Sequence, residues 1–429
     1  KHKLTGMNDA EAVSYEALAE GRTHFVAAAA GSGITPILAI AKTLLAHPET
    51  TLDLIYANRA ASEVMFLEEL ADLKDRYPSR LAIHHVLSRE QRQAPIYSGR
   101  IDADRLDQIF THLIDVEKVD VFVDLAASNV GLAIANLAKD KNVVNLNSGS
   151  ASSDLTGTQC SPNTVHWVYD TYMLANGTGK ALVKSGGDTW FFLTADYAFG
   201  QALERDTSAV VTANGGKVLG SVKHPLNTAD FSSFLLQAQA SKAKVIGLAN
   251  AGGDTTNAIK QASEFGITTG GQKLAALLLF VNDVHALGLK IAQGLTFTES
   301  FYWDANDQTR AWSKRFQKVS PKGSMPSMTV AGVYAGVLHY LKALDAMGVN
   351  PHDGAKVVAK MKEIPTDDPL FGKGPLRIDG RRIIPAYLFE VKKPEESKYP
   401  WDYYKLIATI SPEDAAKPLE ASDCPLVKK

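Results

Sequence analysis

The sequence predicts an α/β protein built on doubly wound parallel sheets, and three observations carry that reading. Apolar runs of strand length alternate with amphipathic helical stretches along most of the chain. The first of them, "HFVAAAAGSGITPILAIAKTLLAH" (His24 to His47), turns on glycines from a strand straight into a helix. The alternation then runs unbroken through the middle of the chain. Strands that alternate with helices form parallel sheets covered on both faces.

In the first 116 residues the strands are "FVAAAA", "LDLIYANR" (Leu52 to Arg59) and "LAIHHVLSRE" (Leu81 to Glu90). The helices between them are "SEVMFLEELADLKDRY", with Ser62 as N-cap, and "DADRLDQIFTHLIDVEKV" (Asp102 to Val119). Gly31 and Gly33 let the backbone turn tightly, and Pro36 suits the first turn of a helix. The helix N-terminus behind Gly31 and Gly33 would then point its free N–H groups at a phosphate. Ligands of such sheets sit at the carboxyl ends of the strands, where Arg59, Ser88 and Arg89 fall. Two arginines there suit a 2′-phosphate, hence NADP(H), and are equally what a solvated loop carries. His84 and His85 alternate faces of a strand and read as structural.

From residue 117 the pattern continues. "DVFVDL" is a buried strand, "NVGLAIANLAKDKN" a helix, and "VVNLNSGSASSDL" a strand that ends in a small-residue loop. Further strand–loop–helix units follow at "TWFFLTADYAFGQALERD" and "KVIGLANAGGDTTNAIKQA", and strands at "QKLAALLLFVND" and "GLTFTESFYWD". "RIDGRRIIPAYLFEV" reads as two strands turning near Asp379-Gly380. Gly149, Ser150, Ala151 and Ser152 offer donors and room for a ligand carboxylate. Asn250 and Asp254 enter a helix in the same way, and Asp254 can instead read an ammonium. Tyr197, Phe301 and Tyr302 offer flat walls with polar edges. The same compositions also make ordinary caps and turns.

The chain has 429 residues, 45% hydrophobic and 21% charged, with net charge −2. That is globular composition, with no basic or acidic excess to draw a nucleic acid or an anionic membrane. No apolar run reaches the length of a membrane helix. Two cysteines, Cys160 and Cys424, are too few for an iron–sulfur cluster; they pair if the chain is exported and stay thiols otherwise. No nucleophile elbow is present. "GTGKA" (Gly177 to Ala181) imitates the end of a P-loop but lacks its first glycine and its hydroxyl residue, and it falls within a helix.

Two resemblances add to this reading. "AAAAGSGITPILAI", "IYANRAASEVMFLEEL" and "VLSRE…YSGRID" resemble the NAD(P)-binding domain of ferredoxin–NADP reductase-like enzymes, the phenylacetyl-CoA oxygenase reductase subunit among them, over about residues 22 to 121. The resemblance implies NADP(H) held by Gly31, Ser32, Gly33, Ile34 and Thr35 with Arg59, Ser88 and Arg89. The flavin barrel and the iron–sulfur domain of that family have no counterpart here, so an inactive oxidoreductase fragment is the alternative function. "SGSASSDLTGTQCSPNTVHWVYDTYMLANGTGKALV", "MKEIPTDDPLFGKGPLRIDGRR" and "PWDYYKLIATI" resemble the solute-binding proteins of branched-chain amino acid ABC transporters, in a branch from bacteria that use aromatic acids. That implies a type I periplasmic binding fold that is not an enzyme, needs no cofactor or metal, and delivers a small carboxylate to a membrane permease. By position it makes residues 149–152, Tyr197, Asn250 and Asp254 ligand-binding, sets Tyr169, Asp170 and Tyr172 near the cleft, and offers Asp283 for an ammonium.

The expected division is 1–116, a partial reductase domain, and 117–429, a solute-binding region. Lobe 1 takes about 117–175 and 305–372 of the latter, and lobe 2 takes 176–304 and 373–429. Asp115 to Leu125 fits either parent. The reductase strands then complete lobe 1 as one hybrid sheet, with "FVAAAA" beside "DVFVDL", or the two parts stand as poorly packed fragments. The expected location is periplasmic by resemblance, and cytoplasmic if the chain is complete, because no leader is readable from Lys1.

Overall fold

The strand expected at "FVAAAA" forms as β1 (Thr23–Ala30), and it lies beside β4 (Val121–Val123), with Phe25 level with Val121 and Ala27 with Val123. The hybrid sheet therefore exists. The computed structural model describes residues 23–30, 38, 41–42, 44–46, 50–58, 60–90, 103–116, 118–320, 323–348 and 352–427.

Around the β1–β4 pair stand β2 (Thr50–Asn58), β3 (Leu81–Leu87), β5 (Val144–Asn147) and β6 (Thr164–His166), in the order β3-β2-β1-β4-β5-β6. All these pairings are parallel. Strand order reverses between β1 and β4, so the switch point of the sheet coincides with the change of sequence character. The packing is shared as well. On one face, Ile55, Val86 and Phe110 from before the seam form one buried cluster with Phe122, Leu125 and Ile134 from after it. A pair of ill-fitting fragments would not bury a common core.

Local chemistry explains most boundaries. The helix Ser128–Lys141 stops at Asn142, which takes a left-handed φ of 56° and returns its N–H to the last turn. The helix expected from Ser62 starts later, at Leu67, behind a 3-10 turn Ala61–Glu63. Phe66, at φ 60°, stands at its start in place of Ser62. Edge strand β3 holds His84 against Asp53 and His85 near the Tyr56 ring, a structural use of both imidazoles.

The second sheet has the order β15-β14-β11-β10-β9-β7-β8, comprising β7 (Thr189–Ala195), β8 (Lys217–His224), β9 (Val245–Ala249), β10 (Lys273–Ala276), β11 (Thr296–Glu299), β14 (Ala386–Val391) and β15 (Tyr404–Ile410). Its last two strands run antiparallel to their neighbours. A small ladder pairs β12 (Thr366–Asp368) with β13 (Gly372–Gly374). The first strand expected in "RIDGRR" is reduced to a single bridge, Leu376 with Arg382, around a turn where Gly380 takes φ 86°. "GTGKA" runs from a π-helical turn, Ala175–Gly179, straight into the helix Lys180–Lys184, where no phosphate loop can form.

Among the described residues the chain passes between the sheets three times: after β6, after β11, and before β14. The helices Met328–Met347 and Gly354–Glu363, reached by the second passage, pack back on β5 of the first sheet. The first and third passages are tied together. The His166 N–H donates to the Gly380 carbonyl at 2.8 Å, and the Arg382 N–H to the His166 carbonyl at 3.0 Å. Arg381, 1% exposed, donates through Nε to Asp170 at 2.9 Å and through its two terminal nitrogens to the His166 and Val168 carbonyls. Cys160, before β6, forms a disulfide with Cys424 near the chain end. No helix among the described residues is long and apolar enough to cross a membrane.

Candidate ligand-binding cleft

Parallel strands deliver their carboxyl ends to one side of a sheet, and both sheets here carry loops with polar and aromatic side chains at that end. The loop after β5 is fixed from within. The Ser150 N–H donates to Asn147 Oδ1 at 3.0 Å, and the Ala151 and Ser152 N–H groups both donate to Ser128 Oγ at 3.1 Å. The Ser150 hydroxyl donates to the carbonyls of Leu125 and Ala127, and Ser152 Oγ pairs with Asp154. A methyl on Gly131 would lie 2.2 Å from Ser150 Oγ, which explains the glycine in that helix. The donors expected to await a carboxylate are thus already engaged by the lobe's own structure.

Other expected residues are placed in the same way. Asn250 is fully buried, bonded to His224 and accepting from Thr255 at 2.7 Å. Asp254 accepts the N–H groups of Asn227 and Thr228 at 3.1 and 2.8 Å, so it holds a loop of the second lobe. Asp170 caps a helix through the Met173 N–H at 2.7 Å and receives Arg381, which ties the first passage to the third. Tyr172 is partly buried, its hydroxyl pushed up by burial and then by Asp170, Asp414 and Asp206. Phe301 packs edge-on against Trp312 in the core. Tyr302 donates to the Trp401 carbonyl at 3.0 Å and stacks on Tyr404. Those two rings are internal walls of the fold.

A different group converges. The Tyr169 hydroxyl donates to the Gly149 carbonyl at 3.1 Å, and its ring meets Phe280 edge to face at 6.2 Å. Burial raises its pKa, and the charges of Asp124, Tyr197 and Glu299 raise it further, so these groups lie near its hydroxyl. Asp124 follows β4; Tyr169 follows β6; Tyr197, Phe280 and Asp283 follow β7 and β10; Glu299 ends β11. Asp283 accepts the Phe280 N–H at 2.9 Å, and Glu299 accepts the Tyr404 hydroxyl at 2.9 Å.

Burial is the main cause acting on the three carboxyls. It lifts Asp124 to about 7 and Asp283 to about 6, each partly offset by a backbone N–H. It holds Glu299 well above the ordinary range, with Asp283 adding to the rise. None of these shifts comes from a lysine or arginine among the described residues. Burial thus makes the proton harder to remove from each of the three carboxyls than from an exposed one. Sequence patterns do not single out Asp124, Phe280, Glu299 or Tyr404. Asp124 and Glu299 are findable, since each is an acidic residue at the carboxyl end of an expected strand.

Of the nucleotide-binding residues expected, Gly31, Ser32, Gly33, Ile34, Thr35 and Arg59 lie outside the described residues. Ser88 and Arg89 form the exposed turn after β3, and the Ser88 N–H donates to the Asn58 carbonyl at 3.0 Å.

Comparison with known proteins gives two overlapping matches. A family model described as oxidoreductase NAD-binding domain matches residues 28–123, and one described as periplasmic binding protein matches residues 99–397. A component of the 1,2-phenylacetyl-CoA epoxidase of Escherichia coli is 44% identical over 107 residues, which is 25% of this chain and 30% of that protein. A Leu/Ile/Val-binding protein homolog of Brucella melitensis is 26% identical over 285 residues, 65% of this chain and 71% of that one. Among solved structures, a periplasmic binding protein from Burkholderia mallei aligns with TM-score 0.79 and 42% identity over 95% of this chain and all of that one. A branched-chain amino acid ABC transporter ligand-binding protein from Burkholderia xenovorans aligns at 0.71 with 30% identity, over 95% of this chain and 100% of that one. An R. palustris solute-binding protein in complex with benzoate shares the fold at 0.70 with 18% identity, over the same shares. These alignments extend through the reductase-like strands. With most of its length matched and its first lobe completed in the same architecture, the chain belongs to the periplasmic binding protein family.

Proposed function

We infer that this protein is the solute-binding component of an ABC importer. It holds a small carboxylate-bearing solute, a branched-chain amino acid or an aromatic acid, between its lobes and presents it to a membrane permease without chemical change. The observation that supports this reading is that Tyr169, which follows β6 of the first sheet, meets Phe280 of the second lobe edge to face and lies near Tyr197 and Glu299. Closure would bring the lobes together about the three passages. In this reading residues 149–152, Tyr169, Tyr197 and Asp283 shape the ligand site, and Asn250 and Asp254 stiffen the loops beside it. Lobe 1 comprises the described residues of about 23–175 and 305–372, and lobe 2 the described residues of about 176–304 and 373–427. The protein works in the periplasm, for which the Cys160–Cys424 disulfide is suited.

A second reading, NADP(H) binding by the glycine loop, is favoured by the match over residues 28–123. The buried Asp124 beside β1 weighs against it, because a carboxyl at the switch point resists a pyrophosphate. The test is thermal unfolding with L-leucine, L-valine, benzoate, 4-hydroxybenzoate and NADPH in separate wells. A solute at 100 times its dissociation constant adds about 2.7 kcal/mol. A shift with an amino acid or aromatic acid supports the importer reading, and a shift with NADPH alone replaces it.

A further inference from the structure

Asp124 combines three features that structural needs do not explain. It follows β4, at the switch point of the first sheet, with a left-handed φ of 54° that a non-glycine residue seldom adopts. Its Oδ1 is buried and has no hydrogen-bond partner. The residue facing it, Gly149, has no side chain, and a methyl there would lie 2.6 Å from that same oxygen. A strained backbone, an unpaired buried acceptor and an opposing glycine together keep one carboxylate oxygen bare. Such strain collects at ligand sites. The Gly149 N–H supports the Asp124 carboxyl, as the Phe280 N–H supports Asp283 and the Tyr404 hydroxyl supports Glu299, but of these three acids Asp124 alone keeps a buried oxygen without a partner.

Resting on the solute-binding reading above, we propose that Asp124 Oδ1 is a specificity acceptor, taking a hydrogen bond from a donor carried by the ligand. The donor is an ammonium or a hydroxyl. Lobe 1 then selects solutes that present such a group at the β4 end and discriminates against those that present bare carboxylate or hydrocarbon there. A bound donor removes the penalty of the orphaned oxygen, whereas a ligand without one leaves it in place. The carboxyl's raised affinity for a proton agrees with this, because a ligand donor takes the position the proton otherwise occupies. Tyr169, bonded to the Gly149 carbonyl, closes the far side of the same corner.

The test uses the full chain at pH 7.5 and isothermal titration with three probes: benzoate, 4-hydroxybenzoate and L-leucine. The first two differ by one hydroxyl, and the third carries the ammonium. Asp124→Gly removes the acceptor and accepts the left-handed backbone freely. Asp124→Asn keeps the shape and the backbone preference, which guards against a folding defect. The expected result is that wild type binds 4-hydroxybenzoate or L-leucine at least tenfold more tightly than benzoate. Asp124→Gly then weakens that preferred probe by roughly ten- to a hundredfold, while benzoate changes less than threefold. Whichever probe is preferred identifies the donor as hydroxyl or ammonium. Equal loss for all three probes, or unchanged selectivity in both folded variants, overturns the proposal alone. Failure of wild type to bind any of the three overturns the solute-binding reading and the proposal with it.

Discussion

Phe110 and Phe122 meet edge to face, ring centroids 4.8 Å apart, both almost fully buried. Phe110 lies on the helix Ala103–Asp115 and Phe122 on β4, and both fall in the stretch 99–123 that the two family models share. The seam is thus a well-packed piece of core. Both parent folds place a helix and then a buried strand at the point where strand order reverses, so one helix–strand unit can serve either.

Phe122→Ala should therefore destabilise the whole first lobe, by about 3–5 kcal/mol. Urea denaturation followed by tryptophan fluorescence would report it. A loss under about 1 kcal/mol would mean that the seam is not a cooperative part of the lobe.

The Arg381–Asp170 pair joins the third passage to the first, with both side chains buried. Removing one partner leaves a buried charge, so Arg381→Ala and Asp170→Ala should each cost about 3–5 kcal/mol. The double variant should lose clearly less than the sum, because the two residues act as a unit. A double-mutant cycle measured by denaturation checks this. Arg381→Lys should not rescue, since Nε and both terminal nitrogens are all engaged.

Asp124 gives a dependence on pH. A carboxyl whose folded pKa is raised binds more protons in the folded chain than in the unfolded one. Its favourable contribution is complete below its ordinary 3.8 and is lost as pH rises to about 7. The full loss is about 4 kcal/mol at most. Relative to wild type, Asp124→Asn should therefore be more stable at pH 8 than at pH 4. Parallel stability curves for the two proteins across that range would exclude a raised Asp124.

The disulfide spans a sequence separation of 264 residues. Reduction, or Cys160→Ser, should cost about 2–5 kcal/mol. Melting curves with and without a reductant measure it, and a shift of less than a degree would show that the tie adds nothing to the folded state.

Much of the architecture is legible in residue patterns. Strand–glycine–helix units announce the parallel sheets, and the unbroken alternation through "DVFVDL" announces a single hybrid lobe. Boundaries are harder. Ser62 offers a cap that the chain does not use, because the 3-10 turn at Ala61–Glu63 delays the helix to Leu67. The cleft is less legible, for a physical reason. Small polar loops such as 149–152 look the same whether their donors face a ligand or each other, and only the position of Ser128 and Asn147 decides. Asp170 and Asp254 draw notice for their charge, but a distant arginine and two distant N–H groups claim them. Asp124 is findable as a strand-end acid, but the sequence gives no local sign that one of its oxygens is left bare.

The bond from Cys160 to Cys424 makes the chain between them a covalent ring. The second sheet, β7 to β15, lies inside it, and so do all three passages between the lobes. A protease that cuts one exposed loop of the second lobe would open the ring without freeing a fragment. The nicked molecule would migrate at full mass on a non-reducing gel and fall into two pieces when a reductant is added. Damage to the polypeptide is thereby uncoupled from loss of the particle.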